Sequence, residues 1–269
     1  MIASTQHDFA VVRNESVADG IWRLVVQSSV AEQIKPGQFV NLAVPGDGSH
    51  ILRIPLSFSE ANASSATLEM VYAVVGEGTR RLSAMRPGDV STLVGPCGNG
   101  WQLPCAPGRA LVVAGGVGLP PVVACARMLA QADVGFDAIV GAQTDAKHVD
   151  ELIDQLRSLA PGKGCDCART VLVTTDDGTR GIRGFTTAAM ADLLAEHAYG
   201  CVYTCGPLPM MAGVAKLCEI RGLACQVSME QVMGCGFGAC SCCNVKRSSG
   251  GYALCCQDGP VFDAKEVAW

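Results

Sequence analysis

Charge and aromatic residues are scarce in this 269-residue chain: 17% of residues are charged and 5% are aromatic. Histidine occurs four times. The formal charge of −5 is not offset by any basic block, which argues against nucleic-acid binding. Residues 1–9 carry Gln6, His7 and Asp8 and lack the apolar run of a secretory leader. The apolar stretch 110–126 is broken by Gly115-Gly116 and Pro120-Pro121, so it falls short of the roughly 18 residues a membrane helix needs. No Ser-His-Asp or Cys-His arrangement supports nucleophilic catalysis. Neither an acid–base pair nor a pocket for a further substrate is evident. Hydrophobic residues nevertheless make up 49% of the chain, which implies large buried surfaces or a subunit interface.

Cysteine is what the chain has in excess, at fifteen residues. The odd count, without a leader, points to a reducing, cytoplasmic setting and to metal chemistry rather than a disulfide framework. Cys125, Cys201 and Cys218 lie in apolar surroundings and read as small core residues. Cys235, Cys240, Cys243 and Cys256 follow the pattern C-x4-C-x2-C-x12-C. That is the plant-type spacing for four thiolates around a [2Fe–2S] cluster. Gly234, Gly236 and Gly238 would give positive φ and bring amides to the sulfurs. A zinc site would favour paired C-x2-C knuckles. Cys242 and Cys255 adjoin two of these ligands. Cys243 preserves the x2 spacing, whereas spacing alone leaves Cys255 and Cys256 open.

Upstream, short strands separated by turns are expected at residues 21–26, 39–44 and 67–75, which suggests an antiparallel β-barrel. Residues 103–108 read as a linker. Strands are then expected at 110–114, 138–141, 170–174 and 201–204, alternating with helices at 120–132, 148–159, 185–197 and 210–221. The third helix is expected to be capped near Thr186 or Thr187, and the fourth to close at Gly222. Alternation of this kind implies a parallel α/β sheet covered on both faces. His148 and His197 read as surface helix residues. The domain organisation is thus 1–103, 104–224 and a small module at 225–269.

Three motifs in the first two domains suit anionic cofactors. Arg53-Ile54-Pro55-Leu56-Ser57, placed between barrel strands, offers a guanidinium for phosphate and an extended backbone for a ring edge. Gly76-Glu77-Gly78-Thr79 leads into a helical stretch at 80–85, where amides favour an anion. Gly115-Gly116-Val117-Gly118 ends a buried strand and departs from the G-x-G-x-x-G fingerprint, yet places flexible backbone where α/β sheets bind ligands. Cys205-Gly206-Pro207 ends a later strand and should approach the same crevice; by itself Cys205 reads as a buried thiol.

In this order the motifs resemble the ferredoxin-NADP reductase superfamily. Gly95-Pro96-Cys97-Gly98-Asn99-Gly100 is similar to its G-P-L-G-N-G segment, with Cys97 in place of Leu. Within the superfamily the chain resembles the electron-transfer subunits of NAD-dependent dihydroorotate dehydrogenases over nearly its whole length. Thr175-Asp176-Asp177-Gly178 with Gly181 and Gly184, and Cys256-Gln257-Asp258-Gly259-Pro260-Val261-Phe262, carry this likeness. The resemblance implies FAD held by Arg53, Ile54, Pro55, Leu56, Ser57, Val71, Tyr72, Ala73, Gly78 and Thr79. It implies NAD(H) at Gly115, Gly116, Gly118, Cys205, Gly206 and Pro207, with Cys205 near the nicotinamide. It places the fourth cluster ligand at Cys256. The implied partner is a flavin-containing dihydroorotate dehydrogenase catalytic subunit, two copies of each forming a heterotetramer in pyrimidine biosynthesis. The alternative is an NAD(P)H:ferredoxin or sulfur-type acceptor reductase. Small subunits of bifurcating transhydrogenases and sulfide dehydrogenases usually carry Asp at the first cluster position, so Cys235 favours the dihydroorotate branch.

Overall fold

Alternating apolar and polar residues build the N-terminal half as β-structure. The computed structural model describes residues 4–44, 46, 51–159 and 170–269. β1 (Thr5–Ala18) and β2 (Ile21–Gln27) form a hairpin across Asp19-Gly20, where Gly20 takes φ 67°. β3 (Phe39–Leu42), β4 (Ile54–Ser57), β5 (Glu60–Asn62), β6 (Thr67–Ala73) and β7 (Val90–Cys97) complete an antiparallel seven-stranded sheet, ordered β4-β3-β7-β1-β2-β6-β5. Register shifts at Val11/Arg13 and Ser16/Ala18 bend β1, and the sheet curls until β4 lies against β6. Leu24, Val26, Leu42, Leu68, Met70 and Leu93 fill its interior and are fully buried. The short helix α1 (Glu77–Ser83) lies between β6 and β7 in the chain.

A second sheet follows, built from β8 (Arg109–Gly115), β9 (Phe136–Ala142), β10 (Val171–Thr175), β11 (Ile182–Arg183), β12 (Tyr199–Cys205) and β13 (Ala224–Ser228). These strands run parallel. α2 (Leu119–Gln131) and α3 (Asp150–Ser158) pack on one face. α4 (Thr186–Glu196) and α5 (Leu208–Arg221) pack on the other. The side chains of β8 divide accordingly: Leu111 and Val113 face α4 and α5, while Ala110, Val112 and Ala114 face α2 and α3. Such two-sided burial explains the unbroken apolar runs of these strands. α5 ends at Gly222 with φ 65°, as its sequence predicts.

The C-terminal region contributes the hairpin β14 (Asn244–Lys246) and β15 (Tyr252–Leu254), then β16 (Val261–Asp263). β16 pairs antiparallel with β13 and caps the edge of the parallel sheet, whose order is β11-β10-β9-β8-β12-β13-β16. The α/β sheet therefore takes in residues on both sides of the expected boundary at 224.

Three local expectations are corrected. Residues 54–57 form an edge strand instead of a connector. α4 has Phe185 at its N-cap with no side-chain cap, and Thr186 Oγ1 is buried without a partner. His148 is buried, its ring within 3.2 Å of the Thr174 carbonyl, because it precedes α3 and turns under β10. His197 is exposed at the end of α4.

Candidate redox site

The cysteine loop spans the residues between β13 and β14. The Ala239 N–H donates to Cys235 Sγ at 3.2 Å, and the Cys235 N–H donates to Cys240 Sγ at 3.4 Å. Further along, the Cys256 N–H donates to Cys243 Sγ at 3.4 Å. The thiols thus gather two by two, Cys235 with Cys240 and Cys243 with Cys256. Among the described residues no three His, Cys, Asp or Glu side chains converge as they would on one metal ion. Two adjacent pairs instead suit a [2Fe–2S] cluster, in which each iron takes two protein thiolates. Cys255 turns away: its thiol donates to the Met229 carbonyl at 3.3 Å and is fully buried. Cys242 is exposed.

Electrostatics around the loop favour thiolate at its open end. Burial opposes ionisation of Cys235, but N–H groups of Phe237, Cys240 and Ala239, with the Cys240 thiol, bring its pKa down to about 7. Cys256 is pushed up to about 12 by burial and by the neighbouring Cys243 thiol, and a bound cation would favour its thiolate. Gly236 and Gly238 take φ of 79° and 87°. Gly234 does not share that conformation; a Cβ there would meet Cys240 Sγ at 3.1 Å, so its role is room for the sulfur.

The segment bearing Cys256 is clasped to the β-domain by a residue whose role spacing did not reveal. Asn99 Nδ2 donates to the carbonyls of Asp258 (2.8 Å) and Val261 (2.9 Å), and its Oδ1 accepts from the Val261 N–H at 3.0 Å. The segment after β7 therefore fixes the segment bearing Cys256. Asn41 on β3 adds a contact, its Nδ2 donating to the Cys235 carbonyl at 3.3 Å. The Asn41 Oδ1 is buried without a partner, an acceptor available to a bound group.

On the β-domain, β4 is an outermost strand with all four residues half-buried, so it offers unpaired backbone groups along a sheltered edge. That is a suitable rail for a flat ring. Arg53 sits at its start and donates to the Thr92 carbonyl and hydroxyl (both 3.1 Å), the Asn41 carbonyl (3.4 Å) and Gln6 (3.3 Å). Its guanidinium ties β4 to β7 in this structure. Val71 and Tyr72 are buried on β6, Ala73 is half-buried, and the Tyr72 hydroxyl donates to Asn14. The Thr79 hydroxyl accepts from the Val75 and Gly76 N–H groups at 2.9 and 3.0 Å. Thr79 therefore holds the entry to α1 instead of opening it, and Gly78 is buried in the first turn.

The nucleotide crevice forms where β8 and β12 run side by side, Ala114 opposite Cys205. Here strand order switches direction, with β9 on one side of β8 and β12 on the other. A Cβ at Gly118 would lie 2.2 Å from the Cys205 carbonyl, so only glycine lets the two segments meet. One at Gly115 would strike Met210 Sδ at 2.5 Å. Gly116, at φ 53°, faces open space. Gly206 packs against Gly115 and Pro207 caps α5. The Cys205 thiol is buried, and burial holds it well above the ordinary range; it is a neutral thiol. Glu230, just after β13, was missed in the sequence. It keeps solvent contact, yet desolvation raises its carboxyl above the usual range, and its charge acts on Cys205 and Cys255.

Curled β-domain, parallel nucleotide sheet and cysteine loop together define an oxidoreductase of the ferredoxin-reductase fold with an added iron–sulfur module. Comparison with known proteins agrees. Residues 112–216 match the family described as an oxidoreductase NAD-binding domain, and residues 230–268 match the iron-sulfur cluster binding domain of dihydroorotate dehydrogenase B. The chain is 35% identical to the dihydroorotate dehydrogenase B (NAD(+)) electron transfer subunit of Geobacillus sp. (strain WCH70), covering 97% of this chain and 98% of that one. It is 34% identical to the subunit of the same name from Clostridium acetobutylicum, over 96% and 95%. A solved structure from work on flavin-based electron bifurcation, that of an NADH-dependent reduced ferredoxin-NADP oxidoreductase, superposes with a TM-score of 0.83 at 29% identity. It covers 100% of this chain and 92% of that one. The chain belongs to the family of dihydroorotate dehydrogenase B (NAD+) electron-transfer subunits. An iron–sulfur cluster, NAD and FAD are its redox groups, and it works with a catalytic partner subunit. Among the described residues no helix is long and apolar enough to cross a membrane.

Proposed function

We propose that this chain links a flavin-containing dihydroorotate dehydrogenase catalytic subunit to NAD+, with two copies of each chain in a cytoplasmic heterotetramer serving pyrimidine synthesis. When bound, the flavin exchanges an electron pair with nicotinamide and single electrons with the [2Fe–2S] cluster. The residues of this chain place those groups. Cys235, Cys240, Cys243 and Cys256 hold the cluster, and Asn99 fixes the last of them against the β-domain. The β4 edge at Ile54, Pro55, Leu56 and Ser57, with Val71, Tyr72 and Ala73 beside it, seats the flavin ring. Arg53, Gly78 and Thr79 hold its charged tail. Gly115, Gly116 and Gly118 let a pyrophosphate approach backbone, and Cys205, Gly206 and Pro207 line the nicotinamide end. The thirteen described cysteines are free, which supports a reducing compartment.

The observation that carries this reading is the pairing of Cys235 with Cys240 on the loop and of Cys243 with Cys256, the last on a segment clasped to the β-domain by Asn99. That clasp holds the Cys256 segment against the β-domain, which supports a short path between cluster and flavin. The test is anaerobic purification of the tagged chain. A flavoprotein of the dihydroorotate dehydrogenase type should co-purify in equal amount, and the complex should reduce NAD+ with dihydroorotate. Co-purification of a ferredoxin or sulfur-type acceptor in its place would favour the alternative.

A further inference from the structure

β3 carries a polar side chain that the reading above leaves without a task. Asn41 is fully buried on a strand whose other residues are Phe39, Val40 and Leu42. Register gives that strand two faces. Val40 and Leu42 pair with Leu56 and Ile54 of β4 and pack into the interior of the β-domain. Asn41 and Phe39 pair with Pro55 and Ser57 on the opposite face. Phe39 there joins the core that also holds Cys243 and Cys256. Asn41 therefore stands on the side of the sheet that meets the cysteine loop, directly across from the β4 edge.

The two ends of its amide are in different situations. Nδ2 donates to the Cys235 carbonyl at 3.3 Å. A Cβ at Gly236 would lie 2.7 Å from the same nitrogen, so the cysteine loop rests on this side chain. Donation to a carbonyl fixes which end of the amide is nitrogen. Oδ1 is left buried and without a partner among the described residues. An acceptor taken out of water in this way calls for an N–H or O–H donor, because an unmade bond costs the desolvation of the group. The thiolates, iron and sulfide of a [2Fe–2S] cluster supply no such donor. FAD does: its ring has an imide N–H and its ribityl chain has hydroxyls. The Arg53 guanidinium donates to the Asn41 carbonyl at 3.4 Å, which ties the residue to the start of β4.

We propose that Asn41 is a positioning residue between the two redox groups: Nδ2 holds the Cys235 end of the cluster loop, and Oδ1 accepts a hydrogen bond from an N–H or O–H of the bound FAD. One planar amide then fixes both neighbours, and with them the separation of loop and flavin. Groups that orient a ligand's backbone in this way tune the metal site they support. The inference rests on the proposed seating of FAD along β4 and names the residue that aligns it with the loop.

Two readouts on the purified anaerobic complex test it without turnover: FAD affinity, and the reduction potential of the cluster followed by electron paramagnetic resonance. Asn41→Leu removes both ends of the amide. It should weaken FAD by about tenfold and lower the cluster potential, with iron content unchanged. Asn41→Ser, whose hydroxyl falls short of both neighbours, should act alike and serves where leucine disturbs folding. Asn41→Asp keeps an oxygen acceptor and loses the donor, so it should retain FAD while the cluster potential falls. Val40→Ala loosens the same strand from its inner face; it should lower the unfolding temperature and move neither readout. FAD carrying a methyl group on the imide nitrogen separates the two donors: weaker binding of this probe by the native protein, but not by Asn41→Leu, identifies the imide, and equal binding identifies a ribityl hydroxyl. Unaltered FAD affinity in both Asn41→Leu and Asn41→Ser, an unaltered cluster potential in Asn41→Asp, or the same losses in Val40→Ala would each overturn the assignment. Failure of the native complex to bind FAD would instead remove the flavin seating beneath it.

Discussion

Three of the four cysteines proposed to hold the cluster lie on one loop, and the fourth follows a short hairpin, so the cysteine site is assembled almost entirely from local chain. The proposed nucleotide crevice draws on Gly115–Gly118 and on Cys205–Pro207, which meet only because β8 and β12 are neighbours in the sheet. The proposed cluster site depends on sulfur chemistry at its four thiols. The crevice depends on backbone contact so close that a single methyl group is excluded. One site is specified by residue type at fixed spacing, the other by the absence of side chains.

Substitutions that separate these two modes sharpen the contrast. The largest effect is expected for Cys256→Ser, which should remove the cluster while FAD stays bound, as iron and flavin analysis of the same sample would show. Cys255→Ser should retain the cluster, because that thiol faces the Met229 carbonyl; loss of iron in Cys255→Ser alone would exchange the two assignments. Gly118→Ala should destabilise the nucleotide domain by about 1–3 kcal/mol through overpacking against the Cys205 carbonyl. Thermal unfolding and NADH titration should both register it, with cluster content unchanged. Arg53→Ala should weaken FAD binding by about 1.5–3 kcal/mol, the worth of a charge-assisted hydrogen bond, and flavin should be released on dilution.

The smallest effect concerns pH. Burial lowers the pKa of His148, so the unfolded chain binds this proton more readily than the folded one. The contribution is fully present above the ordinary histidine pKa and is lost as pH falls below it. His148→Gln should flatten that part of the stability curve, measured by denaturant unfolding between neutral and mildly acidic pH.

Much of this contrast was legible in the sequence, and unevenly. The cysteine spacing identified the loop because ligand chemistry constrains residue type directly. The buried parallel strands β8, β9 and β12 were visible as apolar runs bounded by glycine. β1 was not, since its polar face and two bulges erase a clean alternation. β4 was read as an extended segment between strands and not as a strand itself, although an edge strand accepts Pro55. β13 and β16 were missed at the domain boundary, where a strand from the cysteine module completes the nucleotide sheet. Asn99 stood inside the Gly95–Gly100 motif, but its contacts with Asp258 and Val261 were not legible there, and Glu230 gave no local signal, because their partners are distant in the chain. Spacing left Cys255 and Cys256 open and the resemblance chose Cys256; the fold adds that the Cys256 N–H meets Cys243 Sγ while the Cys255 thiol points to the Met229 carbonyl.

The central claim is that a two-electron donor and a one-electron carrier are lined up within this chain. Electron paramagnetic resonance of the anaerobic complex, reduced with NADH and quenched, tests it most directly. The account predicts the signal of a reduced [2Fe–2S] cluster in the native protein and its absence in Cys256→Ser with FAD retained. An NADH-reduced, flavin-loaded native complex that shows no cluster signal and contains no inorganic sulfide would contradict it.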